Sequence, residues 1–92
     1  MGDRMRGVAV CNVDTAGGVI KTGSNVTVTF NGQPLAVVGC EVAPHGNGPH
    51  QGAVMVQGNP AITINGIPVC FQGDRASCGD TATGQPLLSV TP

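Results

Sequence analysis

Gly58-Asn59-Pro60-Ala61-Ile62-Thr63-Ile64-Asn65-Gly66-Ile67-Pro68-Val69-Cys70-Phe71-Gln72-Gly73-Asp74 is the stretch around which the rest of the chain can be ordered. It reads as a turn, a short strand, an Asn-Gly turn and a second strand that ends at Gly-Asp. Asn-Gly between two apolar runs is a strong hairpin signal, because a type I′ turn needs positive φ at both central residues. A looser copy runs from Ser24 to Cys40. Shifting the chain by 34 residues superposes Val8-Ala9 on Val42-Ala43, Gly18 on Gly52, Asn25 on Asn59, Thr29 on Thr63, Asn31-Gly32 on Asn65-Gly66, Pro34 on Pro68 and Gly39 on Gly73. These are nine identities in one ungapped window, where a composition this biased gives about two or three by chance. A third copy begins near Ala76 and breaks off, with Leu87-Leu88-Ser89-Val90 in the place of Ala53-Val54-Met55-Val56.

The repeat predicts one all-β domain over residues 1–92, with units at about 8–41 and 42–75 and a partial third unit at 76–92. Each full unit reads as three short strands. They are expected at Gly18–Thr22, Val26–Phe30 and Pro34–Val38, and again at Ala53–Gln57, Ala61–Ile64 and Pro68–Gln72. Val26-Thr27-Val28-Thr29-Phe30 alternates with period two, placing Val and Phe on one face and Thr on the other. No helical period exceeds one turn; the sequence allows a short helical turn near Asp74–Cys78. Long polar loops at Cys11–Gly17, Cys40–Gln51 and Asp74–Gly84 join the strands. In a quasi-threefold cone of hairpins these three loops converge at one end.

Composition agrees with a folded, turn-rich domain. Fifteen Gly and seven Pro in 92 residues approach the level of a disordered chain. The charged fraction is only 10%, however, against 40% apolar, which is the reverse of disorder. With two Phe and neither Trp nor Tyr, the core is thin, and at this size it calls for a disulfide, a metal or a partner. A net charge of −1 with four basic residues supplies no stripe for nucleic acid. No apolar run approaches the length of a membrane span. Met-Gly-Asp-Arg-Met-Arg at the start carries no apolar core of a secretory signal, so the four Cys are expected to be reduced in the cytoplasm, where thiols bind metal more often than they pair.

The repeat register points to one candidate site. Cys11 falls on His45, Cys78 falls one position from it on Pro44, and His50 follows five residues later in the same loop. Cys11, His45, His50 and Cys78 thus come from three equivalent loops and form a Cys2His2 tetrahedral set if those loops meet, the usual structural set for zinc. A closed set of four leaves no open position for catalysis. The plainer reading is that a histidine in a Gly-rich loop is simply solvated. Cys70 reads as a small buried hydrophobe in a strand, and Cys40 lies where a loop begins. Asp14, Glu41, Asp74 and Asp80 read as turn formers. Ser24, Ser77 and Ser89 have no His-Asp arrangement. Cys78 with His45 or His50 also fits a small Cys–His hydrolase on paper, although 92 residues leave little room for a substrate cleft.

With these residues in view, the chain resembles the PAAR-repeat proteins, the sharpened tips of type VI secretion spikes and related contractile phage tails. The resemblance rests on the Gly58–Asp74 unit and its copy at Ser24–Cys40, on Ala43-Pro44-His45-Gly46 followed by His50, and on Ala76-Ser77-Cys78-Gly79. It covers about Gly7 to Val90. The chain departs from the family pattern at Pro34-Leu35-Ala36-Val37 and Pro68-Val69-Cys70-Phe71, which replace Pro-Ala-Ala-Arg, and at Gly39-Cys40, which replaces the first Gly-Asp. Ala16 stands before Gly17-Gly18 where the family usually has a His. The resemblance carries over His45, His50 and Cys78 as ligands of zinc, with iron as the alternative. Cys11 as fourth ligand comes from the repeat register, and Asp14, Cys40 or a water are the other candidates.

The resemblance further implies a cone with its metal near the apex and no catalysis. Its base docks on a trimeric β-helical spike protein, one tip chain per trimer, with effector or cargo proteins as further partners. Such a tip pierces a membrane without residing in it. It is cytoplasmic before assembly and then secreted or virion-associated. The alternative function is a small structural zinc-binding interaction module with a different partner.

Overall fold

A computed structural model of the chain describes residues 6–90. Eight short strands carry the architecture: β1 (Arg6–Val8), β2 (Thr15–Ala16), β3 (Gly18–Val19), β4 (Thr29–Phe30), β5 (Gln33–Pro34), β6 (Asn59–Ile64), β7 (Ile67–Val69) and β8 (Gln85–Val90). They pair antiparallel as β1–β8, β2–β3, β4–β5 and β6–β7. The Asn-Gly turns close two of these hairpins. Asn31 and Asn65 have φ of 53° and 55°, and Gly32 and Gly66 follow at 85° and 80°, as a type I′ turn requires. The third hairpin has no turn. β8 lies against β1, with Arg6 opposite Val90 and Gly7 opposite Ser89, so the two ends of the chain together make the third arm.

The three arms meet in rings of backbone hydrogen bonds. The N–H of Ala9 donates to the Cys70 carbonyl (3.0 Å), that of Cys70 to Ala36 (2.9 Å) and that of Ala36 back to Ala9 (2.9 Å). A second ring runs Cys11 to Pro34, Val38 to Pro68 and Gln72 to Gly7, at 2.8, 3.0 and 2.7 Å. A third layer joins Lys21 to Glu41, Val56 to Arg75 and Thr83 to Thr15. The core is stacked in matching triplets: Ala9, Ala36 and Cys70; Val10, Val37 and Phe71; Ile20, Met55 and Ala82; Ala16, Val42 and Ala76 are all buried. Backbones bonded this closely leave little volume between them, and Ala, Ala and Cys fill the first triplet. The large-aromatic deficit of the sequence is what such a stack demands.

A turn ends each arm in the same way. Asp14, Cys40 and Asp74 each send their own N–H back to Val10, Val37 and Phe71, and each accepts that residue's N–H on its side chain, at 2.8, 3.4 and 2.7 Å. Cys40 therefore takes the acceptor role of an aspartate, which is why the second copy tolerates Gly39-Cys40. Asp74 is further held by Arg6 at 2.9 Å.

These rings revise the unit boundaries of 8–41, 42–75 and 76–92. The third unit is completed by the N-terminal segment, and Leu87–Val90 belongs to β8, the counterpart of β6, rather than to the position of Ala53–Val56. Val8-Ala9 matches Leu35-Ala36 and Val69-Cys70 in space, not Val42-Ala43. The strands are also shorter than expected. Over Val26–Phe30 only Thr29–Phe30 is strand, and Val26 is 63% exposed. The buried Asn25 takes this segment over: its Oδ1 accepts the N–H of Thr27 and Val28, and its Nδ2 donates to the Val28 and Leu35 carbonyls. Among the described residues the one helical turn is a 3-10 turn at Gly48–His50, where Pro49 sets φ, and not at Asp74–Cys78, which is drawn out by bridges from Ala76 to Met55 and Arg75 to Thr81. No helix among them is long and apolar enough to cross a membrane.

Candidate metal centre

Two of the polar loops bring ligand-type side chains to one point. His45, His50, Cys78 and Asp80 each place one donor atom there, and the four atoms lie within 4.8 Å of one another. The loop that carries His45 and His50 is folded back on itself by the 3-10 turn, with the His45 N–H donating to the His50 carbonyl at 3.2 Å. The loop that carries Cys78 and Asp80 is tightened by Gly79, at φ of 93°, whose N–H donates to Ala76. The first loop contributes space. A Cβ on Gly17 would fall on the Asp80 carboxylate and His45 Nε2, and one on Gly18 would strike the Ala43 carbonyl. Gly17-Gly18 thus forms a floor without side chains beneath the cluster, and all three loops do converge.

Distances within the cluster are compatible with one shared ion. Zinc bonds of about 2.0–2.3 Å imply donor–donor edges of roughly 3.3–3.6 Å. The edges observed are 2.8 Å from His45 Nε2 to Asp80 Oδ2, 3.2 Å from His50 Nδ1 to His45 Nε2, 3.2 Å from His50 Nδ1 to Asp80 Oδ2, 3.6 Å from Cys78 Sγ to His45 Nε2 and 3.5 Å from Cys78 Sγ to Asp80 Oδ2. The protonation pattern points the same way. His45 Nδ1 lies 2.8 Å from the Ala43 carbonyl. A carbonyl only accepts, so Nδ1 carries the hydrogen and Nε2 presents a lone pair, in the manner of a metal-ligating histidine steadied by an outer carbonyl. That lone pair faces the Asp80 carboxylate. Two acceptors so close need a cation between them or a proton on the ring.

Without an ion, the neighbours of the ring favour the proton. The Ala43 carbonyl, and then Asp80, hold the His45 ring above its ordinary value. The hydrogen bond from His45, and then that from Cys78, hold the Asp80 carboxyl below its own. The side chain of His45 is 12% exposed and that of Asp80 39%, so the cluster has one shielded side and one open to water. No pocket forms among the described residues.

Three of the four ligands expected from the sequence, His45, His50 and Cys78, are therefore brought together, and Cys11 is not. Cys11 is wholly buried in the ring strand, where its counterparts are Val38 and Gln72, and its sulfur lies 3.9 Å from that of Cys40. The equivalence of Cys11 with His45 rested on the Val8-Ala9 match that the rings undo. Asp14 is committed elsewhere, accepting from Val10, Thr83 and Gln85. Asp80 is the fourth member of the cluster. Its sequence signal was the spacing Cys78-Gly79-Asp80, a ligand pair astride a glycine.

The family model for the PAAR motif matches residues 12–83. The chain belongs to the PAAR-motif family. Its matched span takes in the two Asn-Gly hairpins, the Gly17-Gly18 floor and all four residues of the cluster. PAAR-motif proteins are a structural, spike-tip family of secretion and injection systems rather than an enzyme family, and the chain shares that role in outline. No curated protein matches the chain.

Proposed function

We propose that the chain is a metal-stiffened tip that caps a trimeric β-helical spike, one tip chain per trimer, and helps puncture a target envelope during contractile injection. The observation that carries this reading is the threefold layering of a single chain. Three backbone rings give one polypeptide the symmetry of a three-chain partner, so each spike chain meets an equivalent arm. The hairpins also present apolar side chains to solvent at related positions: Val28 on the first and Ile62 on the second are 43% and 36% exposed, with Val26 beside Val28. A covering partner buries such groups.

His45 Nε2, His50 Nδ1, Cys78 Sγ and Asp80 Oδ2 would hold the ion, and zinc suits a four-coordinate N, S and O set. Its contribution is mechanical. It ties the second loop to the third above the Gly17-Gly18 floor. Native mass spectrometry of the tip co-purified with its spike tests the proposal. One tip per three spike chains is the expected ratio, and any other ratio overturns capping.

A further inference from the structure

Two buried thiols remain that the metal centre does not use. Cys11 lies at the start of the first polar loop and Cys40 at the start of the second, 29 residues apart in sequence, and their sulfurs lie 3.9 Å apart. Both are essentially unexposed. Cys70 and Cys78 have other commitments, Cys70 Sγ to the Gln57 carbonyl at 3.3 Å and Cys78 to the cluster. Cys40 also lies under a thin cover. A Cβ on Gly23 would come within 2.7 Å of its sulfur, so the chain above it is bare backbone, just past the Lys21 N–H that donates to Glu41.

We propose that Cys11 and Cys40 are a latent disulfide, which closes when a small disulfide oxidant reaches Cys40 past Gly23 and then ties the first arm to the second. The two sulfurs need only approach from contact to a bond of about 2.05 Å. Cys40 is the nucleophile. The contact with the Cys11 thiol, with help from the Val37 N–H, holds its thiol below the ordinary value, whereas burial pushes that of Cys70 up to about 12. With oxidised glutathione, the Cys40 thiolate attacks one sulfur and expels one glutathione thiolate. Cys11 then gives up its proton, attacks the Cys40 sulfur of the mixed disulfide and expels the second. Two protein thiols are oxidised, one small disulfide is reduced to two thiols, and the cysteine protons end on the released glutathiones.

The bond would complement the metal. The cluster joins the second loop to the third, and Cys11–Cys40 joins the start of the first loop to the start of the second, so together they link all three. The inference does not depend on spike capping.

The test treats zinc-supplemented protein with oxidised glutathione, alkylates it, and maps tryptic peptides. Cleavage after Lys21 and Arg75 separates Cys11 (7–21) from Cys40 and Cys70 (22–75) and from Cys78 (76–92). The expected product is 7–21 linked to 22–75, retained in Cys70→Ala, a change that copies Ala9 and Ala36 of the same ring, and accompanied by a Tm increase of roughly 5–15 °C. Four alkylated cysteines after denaturation, a link to 76–92, or loss of the link in Cys70→Ala each overturns the proposal.

Discussion

Replacing Asp80 by Ala separates the fourth residue of the cluster from Cys11, the ligand suggested by the repeat register. A structural zinc site is worth about 10–16 kcal/mol in small metal-dependent domains, or roughly 2.5–4 kcal/mol for each of four donors. Asp80 lies on the open side of the cluster, with its side chain 39% exposed, so water can enter the vacated position and recover part of the loss. The expected cost is about 2–3 kcal/mol, a weakening of zinc binding by roughly 30- to 150-fold. Cys11→Ala removes a buried sulfur that touches Cys40 and no cluster atom. It lowers stability by about 1 kcal/mol and leaves zinc affinity within about threefold. Competition against a chromophoric chelator reads both affinities on the same footing, and thermal unfolding reads the stabilities. Zinc binding unchanged in Asp80→Ala, or weakened in Cys11→Ala as much as in Asp80→Ala, would refute the ligand assignment.

Asp74 offers a test of the arm ends. Asp74→Ala strands the buried Phe71 N–H, at about 1–3 kcal/mol, and releases the partly exposed Arg6 from an ion pair worth about 1 kcal/mol more. A Tm drop of roughly 10–20 °C is expected by calorimetry, with Asp74→Asn nearer wild type because it keeps an acceptor; equal losses in the two would show that charge, not the N–H, is what matters. The cluster also sets a pH dependence. Without metal, His45 is raised from 6.5 and Asp80 lowered from 3.8. Their attraction is fully present below the unfolded His value and above the unfolded Asp value. It is lost as pH rises through the raised His45 value and as pH falls through the lowered Asp80 value. Metal-free protein should therefore show its highest Tm at mildly acidic pH. The extra Tm conferred by zinc should shrink on acidification, because protons compete with a metal for its donor atoms. Thermal scans with and without zinc across this range check both signs; a zinc-dependent gain that grows as pH falls would contradict the ligand set.

Much of the fold was legible because its signals are local. Asn31-Gly32 and Asn65-Gly66 demand left-handed backbone wherever they occur, so both hairpins could be placed from the sequence. His45, His50 and Cys78 were legible because they stand in loops of the repeat. The alternation of Val26–Phe30 misled because exposed apolar side chains alternate as readily as buried ones, and the decisive residue there is Asn25, whose side chain acts as a piece of backbone. The third arm was hidden because its strands, β1 and β8, lie at opposite ends of the chain, and a linear comparison has no means of joining them. Cys11 was misplaced for the same reason. An ungapped shift cannot follow the change in loop length, because the span 14–20 corresponds to the longer spans 40–55 and 74–82.

The sequence by itself determined the class of structure: a small all-β repeat built from Gly, Pro and Asn turns, too thin in its core to dispense with a further link, with two histidines and a cysteine set in its loops. Composition and turn chemistry act within a few residues and need no knowledge of what lies opposite. Only the tertiary structure decided how the repeat closes, which aspartate joins the histidines, and that Cys40 stands in for the aspartate of the other arms. Those outcomes depend on three backbones meeting in a ring, where the position of each donor is set by chain segments tens of residues away.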